Sequence, residues 1–274
     1  MGISRKRIGG QLIVGTLVFM FSLATYAMPF SSDIEIQGSI TFDDENSTMF
    51  GTTQSGTLSS TLNGSSEISE IDGVTVSGDL SLTGALTNLN DGFGQTFIMS
   101  GDNNGDEGEL YSDYEFDITN TSTTDTFQLL FEIRYENLVD ADGVDSYADA
   151  KTTLDHGSDE IFFTDLTSDT FFGDKENGIN LSSFGESLSH SGLQLIEFTI
   201  DPLETIIFDG VSELEGGVFD GVSSFMGSLS SFVSIVEVNN LTNPATSVPA
   251  PSALILLALG MLGMARVKKP TNEV

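Results

Sequence analysis

Acidic side chains recur at two points of this chain with a spacing suited to holding a hard cation. Asp102, Asn104 and Asp106 alternate within Gly101–Glu109, which sets their side-chain oxygens at the odd positions of a short loop. Asp140, Asp142 and Asp145 surround Gly143 in a second such stretch. The chemistry open to both is oxygen ligation of calcium. Neither is an EF-hand: in the first, Glu107 stands at the sixth position in place of Gly and Asp113 at the twelfth in place of Glu, with strands on either flank. The competing reading of each is an acidic turn in solvent.

Other reactive groups are scarce. His156 and His190 are the only histidines, and both sit among polar neighbours that read as solvated loops. The absence of Cys excludes disulfides, metal thiolates and a catalytic thiol together. The string Gly185-Glu186-Ser187-Leu188-Ser189 lacks the closing Gly of a nucleophile elbow and follows no apolar strand. Among so many acids a glycosidase-like carboxylate pair would arise by chance, so none is assigned. The expectation is a protein that is not an enzyme.

The elements that must carry the acidic loops read as β. Ile34, Ile36, Ile40 and Phe42 alternate with polar residues, and Val74, Val76, Leu80, Leu82 and Leu86 keep a period of two. Phe93, Phe97 and Met99 suggest a third strand. Tyr114, Phe116 and Ile118 suggest a fourth, and Phe127, Leu129, Phe131, Ile133 and Tyr135 a fifth. The last two, separated by the polar turn Asn120–Asp125, read as a hairpin with a longer loop. Further candidates are Tyr147–Leu154, Glu160–Phe163, Leu193–Ile200, Thr205–Phe208 and Phe232–Val238. Short strands with Gly- and Asp-rich turns predict an all-β antiparallel sandwich.

Two stretches resist assignment. Gly51–Ser66, rich in Gly, Ser and Thr, fits a flexible loop or a polar hairpin. Val211, Leu214, Val218, Val222, Phe225 and Leu229 recur at helical spacing, but Gly216, Gly217, Gly221 and Gly227 would each cost a helix about 1 kcal/mol relative to Ala. Loop and strand are therefore favoured there.

Both ends of the chain read as targeting segments. Arg5, Lys6 and Arg7, an apolar run from Ile13 to Leu23, and small residues at Ala24, Thr25 and Ala27 make residues 1–27 a secretory signal peptide, implying the Sec translocon and signal peptidase as partners. An uncleaved N-terminal anchor is the alternative. At the other end stand Val248-Pro249-Ala250-Pro251-Ser252, an apolar run over 253–265, and the basic cluster Arg266, Lys268 and Lys269. The prolines enforce an extended segment, the apolar run enters the bilayer as a short helix, and the basic cluster keeps the C-terminus cytoplasmic. As helix the run is about 20 Å long, short of a hydrocarbon core of roughly 30 Å, which favours a processed tail over a permanent anchor.

Between the ends, 28–247 form the ectodomain. It holds three basic residues, Arg134, Lys151 and Lys175, against 40 of the chain's 41 acids, a net charge of -37. Such a surface repels nucleic acid, anionic lipid and acidic polysaccharide unless a divalent cation bridges them. With 20 Phe in the whole chain and no Trp, core volume comes without polar handles.

The C-terminal residues 248–274 resemble the PEP-CTERM sorting signal of Gram-negative bacteria, in which V-P-E-P precedes a short apolar helix and an Arg-rich end. Val248, Pro249, Pro251 and Ser252 fit it, and Ala250 replaces its acidic residue. The resemblance implies recognition by an exosortase, a membrane-embedded thiol transpeptidase or protease, and release or transfer of the ectodomain to the envelope surface or extracellular matrix. Asn120-Thr121-Ser122, Tyr147-Ala148-Asp149-Ala150 and Pro202–Thr205 also look like turns and strands of ectodomains that carry such signals. The leading expectation is a non-catalytic surface or matrix protein associated with exopolysaccharide or biofilm. The alternative is a calcium-dependent carbohydrate-binding or adhesive module, with Tyr111 and Tyr114 as sugar-stacking candidates.

Overall fold

The computed structural model of the chain describes residues 29–72 and 80–243. The expected signal peptide and sorting tail, and Val74 and Val76, lie outside the described residues. Among the described residues there is no helix. The strands in chain order are β1 (Ile34–Phe42), β2 (Thr48–Phe50), β3 (Thr53–Leu62), β4 (Ser65–Asp72), β5 (Leu80–Leu86), β6 (Gly92–Gly101), β7 (Glu107–Asn120) and β8 (Phe127–Asp142). They continue with β9 (Ser146–His156), β10 (Asp159–Asp169), β11 (Lys175–Glu176), β12 (Ile179–Asn180), β13 (Leu188–Ile200), β14 (Thr205–Val218) and β15 (Ser224–Asn240).

These form an antiparallel sandwich. The larger sheet runs β12-β11-β10-β9-β14-β7-β1-β5 with β2 beside β7, and the smaller runs β13-β8-β15-β6-β3-β4. Period-two burial drives the arrangement, since each strand can hide one face only against the other sheet. Leu110, Tyr114, Phe116 and Ile118 of β7 point inward, as do Phe127, Leu129, Phe131 and Ile133 of β8. Phe116 stacks on Phe208 at 4.7 Å between ring centroids, and Phe131 meets both edge-on at 6.1 and 5.0 Å. This aromatic knot joins the sheets at their centre.

The expected hairpin between the strands around Phe116 and Phe131 does not form. Both strands exist, but β7 lies in the larger sheet and β8 in the smaller. Their apolar faces are thereby set against each other across the core, which buries both, whereas side-by-side pairing would leave the two faces on one surface. Asn120, fully buried, holds the crossing: its amide donates to the carbonyls of Asp125 (2.7 Å), Asp201 (3.0 Å) and Ile200 (3.3 Å). Most other links, including β6–β7, β8–β9 and β14–β15, also pass between sheets.

Of the two unassigned stretches, the first is the polar hairpin β3–β4, turning at Asn63-Gly64 with both residues at positive φ (54° and 73°). The second is β14, a crossing turn and β15, without helix. Its glycines are there for space: a Cβ on Gly216 would lie 2.1 Å from the Phe225 ring, which reaches across from the other sheet.

The sandwich has two poles. Ile34 pairs with Asn120, and Asn240 with Phe127, so the described chain enters and leaves at one pole. The loops 102–106 and 143–145 and the turn 219–223 occupy the other.

Candidate functional site

Both acidic loops flank the same turn at the far pole. The Gly105 amide donates to the Val218 carbonyl (2.8 Å), and the Phe219 amide to that of Asp145 (2.9 Å). Within the first loop the three expected ligands part company. Asp106 turns inward and is buried, accepting the amides of Asn103 (2.9 Å) and Asp102 (3.0 Å) on one oxygen. Burial pushes its carboxyl up, but these hydrogen bonds to the ionised form outweigh that and hold it below the usual range. Its other oxygen packs on Gly51, where a Cβ would come within 2.0 Å. Asp102 and Asn104 remain exposed. Asp106 thus closes the loop from within, its carboxylate holding the amides three and four residues before it.

In the second loop, Asp140 and Asp145 are half-buried and Asp142 is exposed. The Ser223 hydroxyl accepts the amides of Val144 (2.9 Å) and Asp145 (3.1 Å), and the Ser146 hydroxyl donates to the Asp142 carbonyl (3.0 Å). Gly143, at φ 107°, makes the bend.

A tighter carboxylate grouping stands elsewhere, on the outward face of the larger sheet. Carboxylate oxygens of Glu109 on β7 and of Glu213 and Glu215 on β14 all lie within 4.8 Å of one another, the one such set of three acids among the described residues. Register explains it: Glu215 faces Glu109 across one strand pair and Asp149 across the next, while Glu213 faces Tyr111 and Lys151. Glu215 hydrogen-bonds Glu213, which two carboxyls can do only with a proton between them, and with burial and the neighbouring charges this pushes it up to about 8. Burial likewise raises Asp149 to about 6, against the Thr167 hydroxyl that donates to it at 2.6 Å. Glu109 is raised by burial and by Glu213. Lys151 approaches Glu213 at 4.0 Å. The charge of the site can therefore be reduced by a shared proton or by an oxygen-seeking cation, and its donor set suits calcium or magnesium. Sequence reading missed it because Glu109 lies a hundred residues from its partners; the alternation Glu213-Leu214-Glu215 was the available signal.

The aromatic and histidine candidates also resolve. Tyr114 is a core residue, its hydroxyl bonded to Gln95 and to the Ser231 hydroxyl (2.7 Å), so it offers no surface for a sugar. Tyr111 is half-buried beside the carboxylates. His190 is a strand residue, in contrast to the expected loop: its Nε2 lies 3.2 Å from the Tyr135 hydroxyl and its Nδ1 3.8 Å from Glu176 of β11, tying the edges of the two sheets together. His156 ends β9 and meets Phe198 edge-on at 6.0 Å.

The sorting residues Val248, Pro249, Ala250, Pro251 and Ser252 and the cluster Arg266, Lys268 and Lys269 follow the pole at which β15 ends. Residues 247–269 match the model of the PEP-CTERM protein-sorting motif. The chain carries a PEP-CTERM sorting signal. Such a signal implies export and processing by an exosortase. No curated protein matches the chain. Similar solved structures include infectious bursal disease virus Gt strain (10% identity over 87% of this chain and 76% of that one, TM-score 0.14) and the VP2 subviral particle of the same virus (9%, 85% and 72%, TM-score 0.16). A tandem CBM22 domain from Paenibacillus barcinonensis Xyn10C is 9% identical over 73% of this chain and 78% of that one, with TM-score 0.12. At these scores the likeness carries no argument about fold or function.

Proposed function

We propose that this chain is a non-catalytic surface or matrix protein, exported by the Sec route, cut by signal peptidase after Ala27, held briefly in the inner membrane by 253–265, and passed by an exosortase to the cell surface or to exopolysaccharide. The observation that carries the reading is the sorting motif at 247–269 following a single acidic sandwich. A net charge of -37 keeps such an ectodomain soluble and makes divalent cations its natural bridge to acidic polymers. The test is the mature C-terminus, determined by mass spectrometry after expression in hosts with and without the exosortase. Processing near Pro251 in the first host alone is expected; a chain ending at Val274 in both would refute the reading. Replacing Pro249 and Pro251 should block processing while export continues.

A second reading, a calcium-dependent carbohydrate-binding or adhesive module, is favoured by one observation, the convergence of Glu109, Glu213 and Glu215. The loops at Asp102, Asn104 and Asp106 and at Asp140, Asp142 and Asp145 are its further candidate ligands. Glycan-array binding with calcium and with chelator separates it from the first.

A further inference from the structure

Among the described residues, and apart from the three-residue β2 beside β7, the two sheets end in four edge strands, and three of them are guarded against pairing with another chain. β12 is two residues long, β5 is seven and contains Gly84, and β4 carries Glu67, Glu70 and Asp72 among its eight. Short length and charge are the usual means of blunting an edge. The fourth edge, β13, has neither. It runs thirteen residues, Leu-Ser-His-Ser-Gly-Leu-Gln-Leu-Ile-Glu-Phe-Thr-Ile, in unbroken register with β8, and holds a single carboxylate, Glu197. On its outward face Leu193 and Leu195 are 52% and 48% exposed. In an ectodomain this acidic, the strand is a low-charge strip on which two copies can approach.

We propose that the free edge of β13 pairs antiparallel with the same edge of a second copy, joining two six-stranded sheets across a two-fold axis at Gln194. The pattern of the strand selects this register. A two-fold normal to the sheet keeps outward residues outward, so facing residues must share a face. Centred on Gln194, Leu193 faces Leu195 of the second copy and the reverse, closing four leucines into one outward cluster. Ser191 then faces Glu197 of the second copy, a hydroxyl against a carboxylate. Centring one residue earlier or later sets a leucine against Ser191 or Glu197. The β11–β12 hairpin reaches β13 at His190 through Glu176, 3.8 Å away, and β10 packs against it from the other sheet, but among the described residues no strand pairs with Ser191 to Glu197 on the side away from β8. One strand back on β8, Glu136, Arg134 and Glu132 stand beside Ser191, Leu193 and Leu195. The contact is a narrow strip, smaller than the roughly 1,200 Å² of a standard interface, so the association is weak and reversible.

The full chain contains no Cys, so one introduced thiol reports alone. Under mild oxidation, Gln194→Cys in the full chain should give a disulfide-linked dimer, because residues facing each other on antiparallel strands lie within disulfide reach. Ile68→Cys, 66% exposed on the guarded edge β4, should stay monomeric. Sedimentation of the full chain in mild detergent across the micromolar range should show self-association that Leu193→Glu with Leu195→Glu weakens by at least about tenfold, without lowering the melting temperature. A monomer at every concentration, equal cross-linking through Ile68→Cys, or association that survives the paired glutamates would each overturn the proposal. If the glutamate pair disturbs folding, the Gln194→Cys result decides.

Discussion

Replacing Glu215 by Gln should stabilise the protein in alkaline but not in acidic buffer. An unfolded glutamate loses its proton near its ordinary value of 4.5, whereas folded Glu215 keeps it to about 8. Between those values the folded state binds more protons than the unfolded, so the stability this group contributes is complete below about pH 4.5 and falls as pH rises to about 8. At full strength such a shift corresponds to roughly 5 kcal/mol. Glu215 is half-buried, and solvent screening reduces this to about 1–2 kcal/mol. Gln cannot ionise, and its amide donates to Glu213 as the shared proton does, so the variant escapes the loss. For a domain of this size the gain amounts to about 2–8 °C in Tm at pH 8.5, vanishing near pH 4.5. Calorimetry at both pH values, in chelator so that no cation replaces the proton, measures it. The difference between variant and wild type is the quantity of interest, since the general repulsion among carboxylates destabilises both at high pH. A Gln variant no more stable than wild type at pH 8.5, or equally stabilised at both pH values, would refute the reasoning.

Saturating calcium should raise the melting temperature of wild type above that in chelator, and Glu109→Gln with Glu213→Gln should remove most of the rise; superimposed wild-type curves would sink the cation reading. Asp102→Asn and Asp140→Asn, melted in parallel, measure what the two loops add to that rise. Gly216→Ala drives a methyl into the Phe225 ring at 2.1 Å and should cost about 1–3 kcal/mol, seen as a lower urea midpoint at unchanged slope. Asn120→Ala leaves the carbonyls of Asp125, Ile200 and Asp201 without their donor and should cost about 2–3 kcal/mol in the same assay.

Strand existence was legible wherever apolar residues alternate without interruption, as at Ile34–Phe42, Tyr114–Ile118 and Phe127–Tyr135. Lengths came out short where small residues occupy inward positions. In β15, Gly227 and Ser231 fill the core face between Phe225 and Val233, so Phe232–Val238 was the part that read as strand, although the strand begins at Ser224. In β14, Gly210, Ser212 and Gly216 do the same, and Val211 with Val222 then imitates a helical period. Partnership was less legible than existence. The six residues between Asn120 and Phe127 would serve a hairpin or a crossing equally well, and the choice rests on Phe116 meeting Phe208 and Phe131, contacts between segments distant in sequence. The same limit hid the carboxylate site. Alternation shows that Glu109, Glu213 and Glu215 face outward, but their convergence depends on β14 pairing with β7. The sorting motif is the opposite case, legible because its signature lies in local order alone.

The position of β15 bears on how the protein withstands load. It is the last strand among the described residues and lies inside the smaller sheet, paired with β8 along nearly its whole length and with β6 along much of it. A tether drawn from Asn240, with resistance at the opposite pole, pulls along the strand axis, across hydrogen bonds that lie perpendicular to it. Those bonds then share the strain in shear rather than opening one after another as in a zipper. A protein held at one end against flowing water would gain mechanical strength from this placement without any disulfide.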